Sequence, residues 1–100
     1  MLPMEFVLVT PEGEAARLAC DSVNLFAADN ANGENGGSVG IHRGHLPAVI
    51  ALEKGSAVIV KAEGREIFRA KTEGGFAHVR DDRVTVLTEG CSVEGHEADA

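Results

Sequence analysis

The chain has 100 residues, of which 44% are hydrophobic, and its 16 acidic and 9 basic residues give a formal net charge of −7 at pH 7. A chain of this length is too short to build two separate cores, so we expect a single domain. The negative charge repels phosphate groups, so we expect neither nucleic acid nor direct contact with anionic lipid.

Short runs of alternating apolar and polar residues, separated by Gly or acidic residues, are typical of a β-sandwich or barrel. In chain order these runs are residues 6–9, 23–26, 57–62, 65–70, 76–79 and 84–88. The Glu63-Gly64 and Asp81-Asp82 pairs leave room only for two-residue hairpin turns. Strand spacing predicts a core of Phe6, Leu8, Val23, Leu25, Val58, Val60, Phe76, Val84 and Val86.

Two segments do not follow this pattern clearly. Residues 12–20 have good helix propensity, although Gly13 interrupts them and they are too few for an isolated helix. Residues 48–52 fit a strand or a helical turn, and so short a segment has no decisive periodicity. From the residues alone, both alternatives stay open.

Two polar segments are expected to lie outside the strands. The stretch from Asn30 to Gly37 is rich in Gly and Asn and predicts a surface loop. Residues 92–100 are polar and acidic without periodicity, which predicts a poorly ordered tail. We therefore divide the chain into a domain at 1–90 and a short acidic tail at 91–100.

The sequence predicts neither an export signal nor a membrane span. Residues 1–5 contain no basic region followed by an apolar stretch, and no run of about 18 apolar residues occurs. Cys20 and Cys91 are too few for a disulfide framework or a zinc site made of four cysteines. We interpret both as reduced, buried or partly buried apolar side chains.

Known catalytic and cofactor motifs are missing from the pattern. Lys71-Thr72 follows Ala70 rather than the Gly that a phosphate-binding loop requires, so we predict no nucleotide or other cofactor. No nucleophile is placed beside a base, so we predict no catalytic residues. His42 and His45, with His78, form a metal site only if the chain turns at Arg43-Gly44, because residues three apart on a strand face opposite ways.

Four segments in a fixed order carry a family resemblance. They are residues 6–11 (FVLVTP), 39–47 (VGIHRGHLP), 74–79 (GGFAHV) and 83–88 (RVTVLT). Together they make the chain similar to the epsilon chain of F-type ATP synthases, from Phe6 to about Glu89. The chain departs from the family by having Arg43 where Pro is usual and Gly37-Ser38-Val39-Gly40 where Gly-Glu-Leu-Gly is usual.

The resemblance implies an all-β fold, a ten-stranded β-sandwich of two sheets, in which residues 12–20 and 48–52 are strands. It further implies a non-catalytic rotor subunit of the central stalk that binds the gamma subunit and the membrane c-ring. Such a subunit helps to couple ion transport to ATP synthesis or hydrolysis, as a peripheral part of the complex at the cytoplasmic face of the cell membrane.

On this interpretation the working parts of the chain are surfaces. The c-ring side is expected to be the middle motif, with Val39, Ile41, His42, Arg43 and His45. Core packing is an equal alternative for Val39 and Ile41. The family's C-terminal helical pair is expected to be absent, because residues 91–100 are too few for it.

Two other functions remain as alternatives. One is a small metal-dependent β-sandwich enzyme that uses His42, His45 and His78. The other is a free-standing binding module that no longer belongs to a synthase. Metal analysis of the purified protein distinguishes the first alternative, and copurification with a gamma chain distinguishes the second.

Overall fold

The fold is built from β-strands. A computed structural model describes residues 3–28 and 37–96. The strands are β1 (Met4–Thr10), β2 (Gly13–Cys20), β3 (Ser22–Ala27), β4 (Gly37–His42), β5 (Ala48–Ala51), β6 (Lys54–Ala62), β7 (Arg65–Glu73), β8 (Phe76–Arg80), β9 (Arg83–Leu87) and β10 (Cys91–His96). Nowhere in these two ranges is there a helix long and apolar enough to cross a membrane.

The ten strands form two five-stranded sheets, which confirms the predicted sandwich. Sheet A has the order β2-β1-β9-β8-β5, and sheet B has the order β10-β7-β6-β3-β4. β1 and β9 pair in parallel, whereas the other neighbours pair antiparallel. The strand registers place residues 42–47, 63–64 and 81–82 at one end of the sandwich, which we call the motif end.

Alternating side chains from both sheets fill a single core. The predicted core residues other than Phe76 are buried, as expected for strands with one face inward. Phe68 of β7 is also buried, and its ring centroid lies 5.7 Å from that of Phe6. Buried Cys20 and partly buried Cys91 are free cysteines, as the sequence predicted, and burial raises the pKa of Cys20 to about 11.

The prediction that Phe76 lies in the core is wrong, because its side chain is 52% exposed. In β8 the residues that point inward are Ala77 and Val79, which are buried. Phe76 therefore shares the outer face of sheet A with its cross-strand neighbour Leu87. Moving the alternation by one residue exchanges the two faces of a strand, and the predicted strand spacing placed Phe76 on the wrong face.

Both predicted two-residue turns are confirmed. Glu63 and Gly64 have φ of 54° and 78°, and they join β6 to β7. Asp81 and Asp82 have φ of 51° and 59°, and they join β8 to β9. Positive φ at both central positions suits a tight hairpin because it matches the twist of the flanking strands.

The two ambiguous segments are strands. β2 pairs with β1 along its length, and its residues Ala16, Leu18 and Cys20 pack on the core. β5 pairs with β8 at the edge of sheet A and contributes Ala48 and Ile50 to the same core. Strand pairing and burial therefore outweigh the helix propensity of residues 12–20.

The expectation of an irregular tail is wrong for residues 92–96. These residues belong to β10, which pairs antiparallel with β7, so the sandwich continues past residue 90. A shift of register between Val93 and Gly95 lets the strand follow β7 despite its weak alternation. The predicted loop from Asn30 to Gly37 lies outside the described residues except for Gly37, which begins β4.

A buried phenylalanine and an exposed one test the assignment of faces. We expect Phe68→Ala to cost about 3–5 kcal/mol of unfolding free energy, as large-to-small changes do in a packed core. We expect Phe76→Ala to cost about 1 kcal/mol, because much of that ring already contacts water. Urea titrations of both variants measure the difference, and equal losses would contradict the assignment.

Gly75 occupies a position that no other residue can take without moving the backbone. Its φ is +104°, and a Cβ built on it would overlap the carbonyl oxygen of Leu87. We expect Gly75→Ala to cost at least about 3 kcal/mol, because backbone strain and a steric clash act together.

Gly55 provides the matched control for this variant. It has φ of +80°, but a Cβ there meets nothing within 4 Å. We expect Gly55→Ala to cost only the backbone strain, about 1–2 kcal/mol. If chemical denaturation gave the same loss for both variants, the close approach between Gly75 and Leu87 would be refuted.

Candidate functional site

The middle sequence motif forms an exposed loop at the motif end. We call residues 42–47 the motif loop, and each of them is exposed. The backbone N–H of His45 donates to the carbonyl oxygen of His42 at 3.1 Å, which closes a turn. Gly44 has φ of +83°, so the chain does turn at Arg43-Gly44, as the metal-site alternative required.

Three of the five predicted contact residues lie on this loop. His42, Arg43 and His45 are exposed and free to meet a partner surface. Val39 is partly buried and packs against the core from β4. The expectation that Ile41 contributes to the contact surface is wrong, since its side chain is fully buried. In β4 the alternating residues Val39 and Ile41 face inward, so they support the loop from within.

The imidazole ring of His42 lies beside the outer face of β4. Gly40 lies between Ser38 and His42 on the outer face of sheet B. A Cβ at Gly40 would lie 3.5 Å from Nε2 of His42, an ordinary contact distance, so the ring of His42 lies back over Gly40. The side chain of His42 therefore extends the loop surface onto the edge of sheet B.

Asp82 holds the motif loop, and sequence reasoning missed this residue. Its Oδ1 accepts a hydrogen bond from the backbone N–H of Gly44 at 2.8 Å, which ties the motif loop to sheet A. Asp21 makes a similar bond at the same end, where its Oδ2 accepts the N–H of Glu63 at 2.6 Å. The sequence signal that could have identified Asp82 is the aspartate pair, because the second position of such a turn usually contains Gly.

The structure does not assemble the histidines of the metal-site alternative. His78 lies on the outer face of sheet A, where it is paired with Val49 and Thr85. His42 lies on β4 at the edge of sheet B, and Nδ1 of His45 lies 2.7 Å from the carbonyl oxygen of Leu46. Within residues 3–28 and 37–96, no group of three or more His, Cys, Asp or Glu is arranged to hold a metal ion.

A second surface is an apolar row on the outer face of sheet A. Strand registers align Val9 with Leu87, Leu87 with Phe76, and Phe76 with Ala51, and we call these four residues the apolar strip. Phe76 is 52% exposed and Leu87 is 42% exposed. Val49, two residues before Ala51 on the same face of β5, is 60% exposed. Exposed apolar side chains that adjoin in this way are typical of an interaction site.

A shallow groove runs beside the apolar strip. It has a volume of about 400 Å³, and it is lined by Val9, Thr10, Pro11, Gly75, Phe76, Leu87, Thr88 and Glu89. Because most of these residues are apolar or small, the groove suits an apolar side chain of a partner protein rather than a charged ligand.

Charged residues border the strip toward the motif end. Oε1 of Glu5 lies 2.9 Å from Nη1 of Arg17 and 2.8 Å from Nε of Arg83, so one carboxylate bridges β2 and β9. Arg17 also pairs with Glu14 at 2.8 Å, and these hydrogen bonds raise the pKa of Arg17 and lower that of Glu14. Exposed pairs contribute little to stability, but they place charges beside the apolar strip on this side.

The outer face of sheet B differs in character. Arg69 pairs with Glu66 at 2.8 Å, and their hydrogen bonds lower the pKa of Glu66 and raise that of Arg69. Lys71 lies 3.8 Å from Glu94 of the neighbouring strand β10. This face is therefore largely polar, and the exposed apolar residues of the central strands are on sheet A.

Comparison with known proteins agrees with the sandwich. Residues 3–93 match the family described as the ATP synthase delta/epsilon chain β-sandwich domain. The ATP synthase epsilon chain of Paracoccus denitrificans is 35% identical over 86 residues, which is 86% of this chain. The chain spans 53% of the length of that protein.

Two solved structures share the fold. One is a structure of OSCP, F1 and the c-ring from the mitochondrial ATP synthase of Euglena gracilis. A chain of that structure superimposes on this chain with a TM-score of 0.72 at 21% sequence identity. That match covers 93% of this chain and 56% of the other. A chain in the central stalk and c-ring of the Tetrahymena thermophila enzyme gives a TM-score of 0.67 at 17% identity, over 90% of this chain and 66% of that one.

The family assignment rests on a match that includes nine of the ten strands completely and the beginning of β10. The identity to the Paracoccus denitrificans protein supports it independently. The chain belongs to the family of ATP synthase delta/epsilon chain β-sandwich domains.

Proposed function

We propose that this chain is a non-catalytic central-stalk subunit of an F-type ATP synthase, which binds the gamma subunit and the c-ring. In this role it helps to couple ion transport to ATP synthesis or hydrolysis that occurs elsewhere in the complex. The observation that carries the proposal is the exposed apolar strip on sheet A, in a chain of this family. Its relatives include a protein named ATP synthase epsilon chain.

The two surfaces suit two different partners. The apolar strip is a row of hydrophobic side chains beside a groove, and it suits a protein partner with matching apolar residues, which we assign to gamma. The motif loop presents His42, Arg43 and His45 at one end of the sandwich, and we assign it to the c-ring. Val39 and Ile41 hold this loop from the core side.

The proposal also gives the chain a place in the cell. A subunit that binds the c-ring is peripheral to the membrane, and we assign this chain to the cytoplasmic face of that membrane.

The alternative functions have different consequences. A metal enzyme retains a stoichiometric metal ion after purification, and a free-standing module does not copurify with gamma. Coexpression with the host's gamma chain, followed by size exclusion and metal analysis, separates the three.

Binding to gamma should depend on the apolar strip. We expect Phe76→Ser to weaken the complex with gamma by at least about tenfold, because a buried aromatic contact at an interface contributes about 2 kcal/mol or more. Val93→Ser is the matched control, since Val93 is 50% exposed but lies on β10 of sheet B. Titration by calorimetry measures both, and equal affinities would refute the assignment of the strip to gamma.

Binding to the c-ring should depend on the motif loop. We expect Arg43→Ala to reduce the amount of detergent-solubilised c-ring that a complex of this chain with gamma retains, because Arg43 is exposed at the tip of the loop. Lys54→Ala removes the same charge from an exposed residue at the opposite end of the sandwich and should have no effect. Equal retention by the two variants would show that the ring binds elsewhere.

A further inference from the structure

The turn between β8 and β9 holds two non-glycine residues in a left-handed conformation. Asp81 and Asp82 have φ of 51° and 59°, a region in which most side chains are strained. The comparable turn between β6 and β7 places Gly64 at its second position, where glycine adopts positive φ without cost. Asp82 stands at the equivalent position, where it bears a backbone cost that glycine would avoid.

The side chain of Asp82 makes a contact that glycine could not make. Its carboxylate Oδ1 accepts the N–H of Gly44 at 2.8 Å across 38 residues of sequence. Its backbone carbonyl oxygen accepts the N–H of Glu5 at 3.0 Å, which fixes Asp82 to β1 of sheet A. The carboxylate therefore extends from a well-anchored turn to the middle of the motif loop.

The motif loop depends on such a bond for its position. It begins at the last residue of β4 in sheet B and leads into β5 of sheet A. Its residues are exposed, so none of them is anchored by burial in the core. Gly44 lies between Arg43 and His45, and a hydrogen bond from a charged acceptor to this amide fixes the loop relative to sheet A.

We infer that Asp82 is a positioning residue, which holds the motif loop in the conformation that meets the c-ring. This inference rests on the proposed function, because it assigns the ring contact to the loop. Asp82 acts through Gly44 and need not contact the ring itself. The carboxylate of Asp82 acts on the position of the loop rather than on the stability of the sandwich.

Three variants distinguish positioning from stability. Asp82→Gly removes the carboxylate and the backbone strain together, so we expect a urea midpoint equal to or above that of the wild type. Asp82→Asn keeps an Oδ1 acceptor on a residue that tolerates positive φ. Asp21→Ala removes the similar bond to Glu63 at the same end and serves as the control, with a lowered midpoint and unchanged ring binding.

The first measurement uses the isolated chain. Amide hydrogen exchange at Gly44, followed by NMR, should be at least tenfold faster in Asp82→Gly than in the wild type. In Asp82→Asn it should be within about threefold of the wild type. An unchanged exchange rate in Asp82→Gly would overturn the inference, whether or not the chain binds a c-ring.

The second measurement uses the chain coexpressed with gamma and mixed with solubilised c-ring. We expect Asp82→Gly to retain at most a fifth of the wild-type ring, with Asp82→Asn and Asp21→Ala near the wild-type amount. Full retention by Asp82→Gly would overturn the inference. If the wild type itself retains no ring, the proposed ring contact fails, and the exchange rates at Gly44 alone decide whether Asp82 positions the loop.

Discussion

The parallel pairing of β1 with β9 supports both faces of sheet A. On the inner side it sets Phe6 beside Val84 in the core, and on the outer side it sets Val9 beside Leu87 in the apolar strip. At the motif end, the same junction joins β1 to the turn that contains Asp82. A shift of this register by one residue would exchange the faces, so core, strip and turn depend on one strand pair.

Much of the sandwich could be predicted from the residues, because alternation in strands such as β6 and β9 is regular enough to identify their buried faces. The exception at Phe76 has a physical cause: β8 is short, and its inward residues Ala77 and Val79 are smaller than the aromatic ring on its outer face. In β10 the irregular register conceals the alternation that identifies a strand. Burial in such strands is decided by neighbours that a local pattern does not contain.

The candidate site was less accessible to sequence reasoning. A turn in the middle motif could be expected from Arg43-Gly44, and the exposure of the loop follows from that turn. The role of Asp82 could not be predicted, because its partner Gly44 lies in the loop between β4 and β5, 38 residues away in the sequence. The apolar strip was missed for a related reason: its residues come from strands that are aligned only when sheet A is assembled.

The two surfaces differ in how firmly the backbone beneath them is held. Three of the four residues of the apolar strip stand on β1, β9 and β8, each of which is paired on both sides within sheet A. Residues 43–47 of the motif loop lie outside the strands. Docking on the strip therefore requires little ordering of the chain, so little conformational entropy is lost there. A partner at the loop meets a segment whose position depends on the hydrogen bond from Gly44 to Asp82, so a change at that turn would alter the loop surface and leave the strip intact.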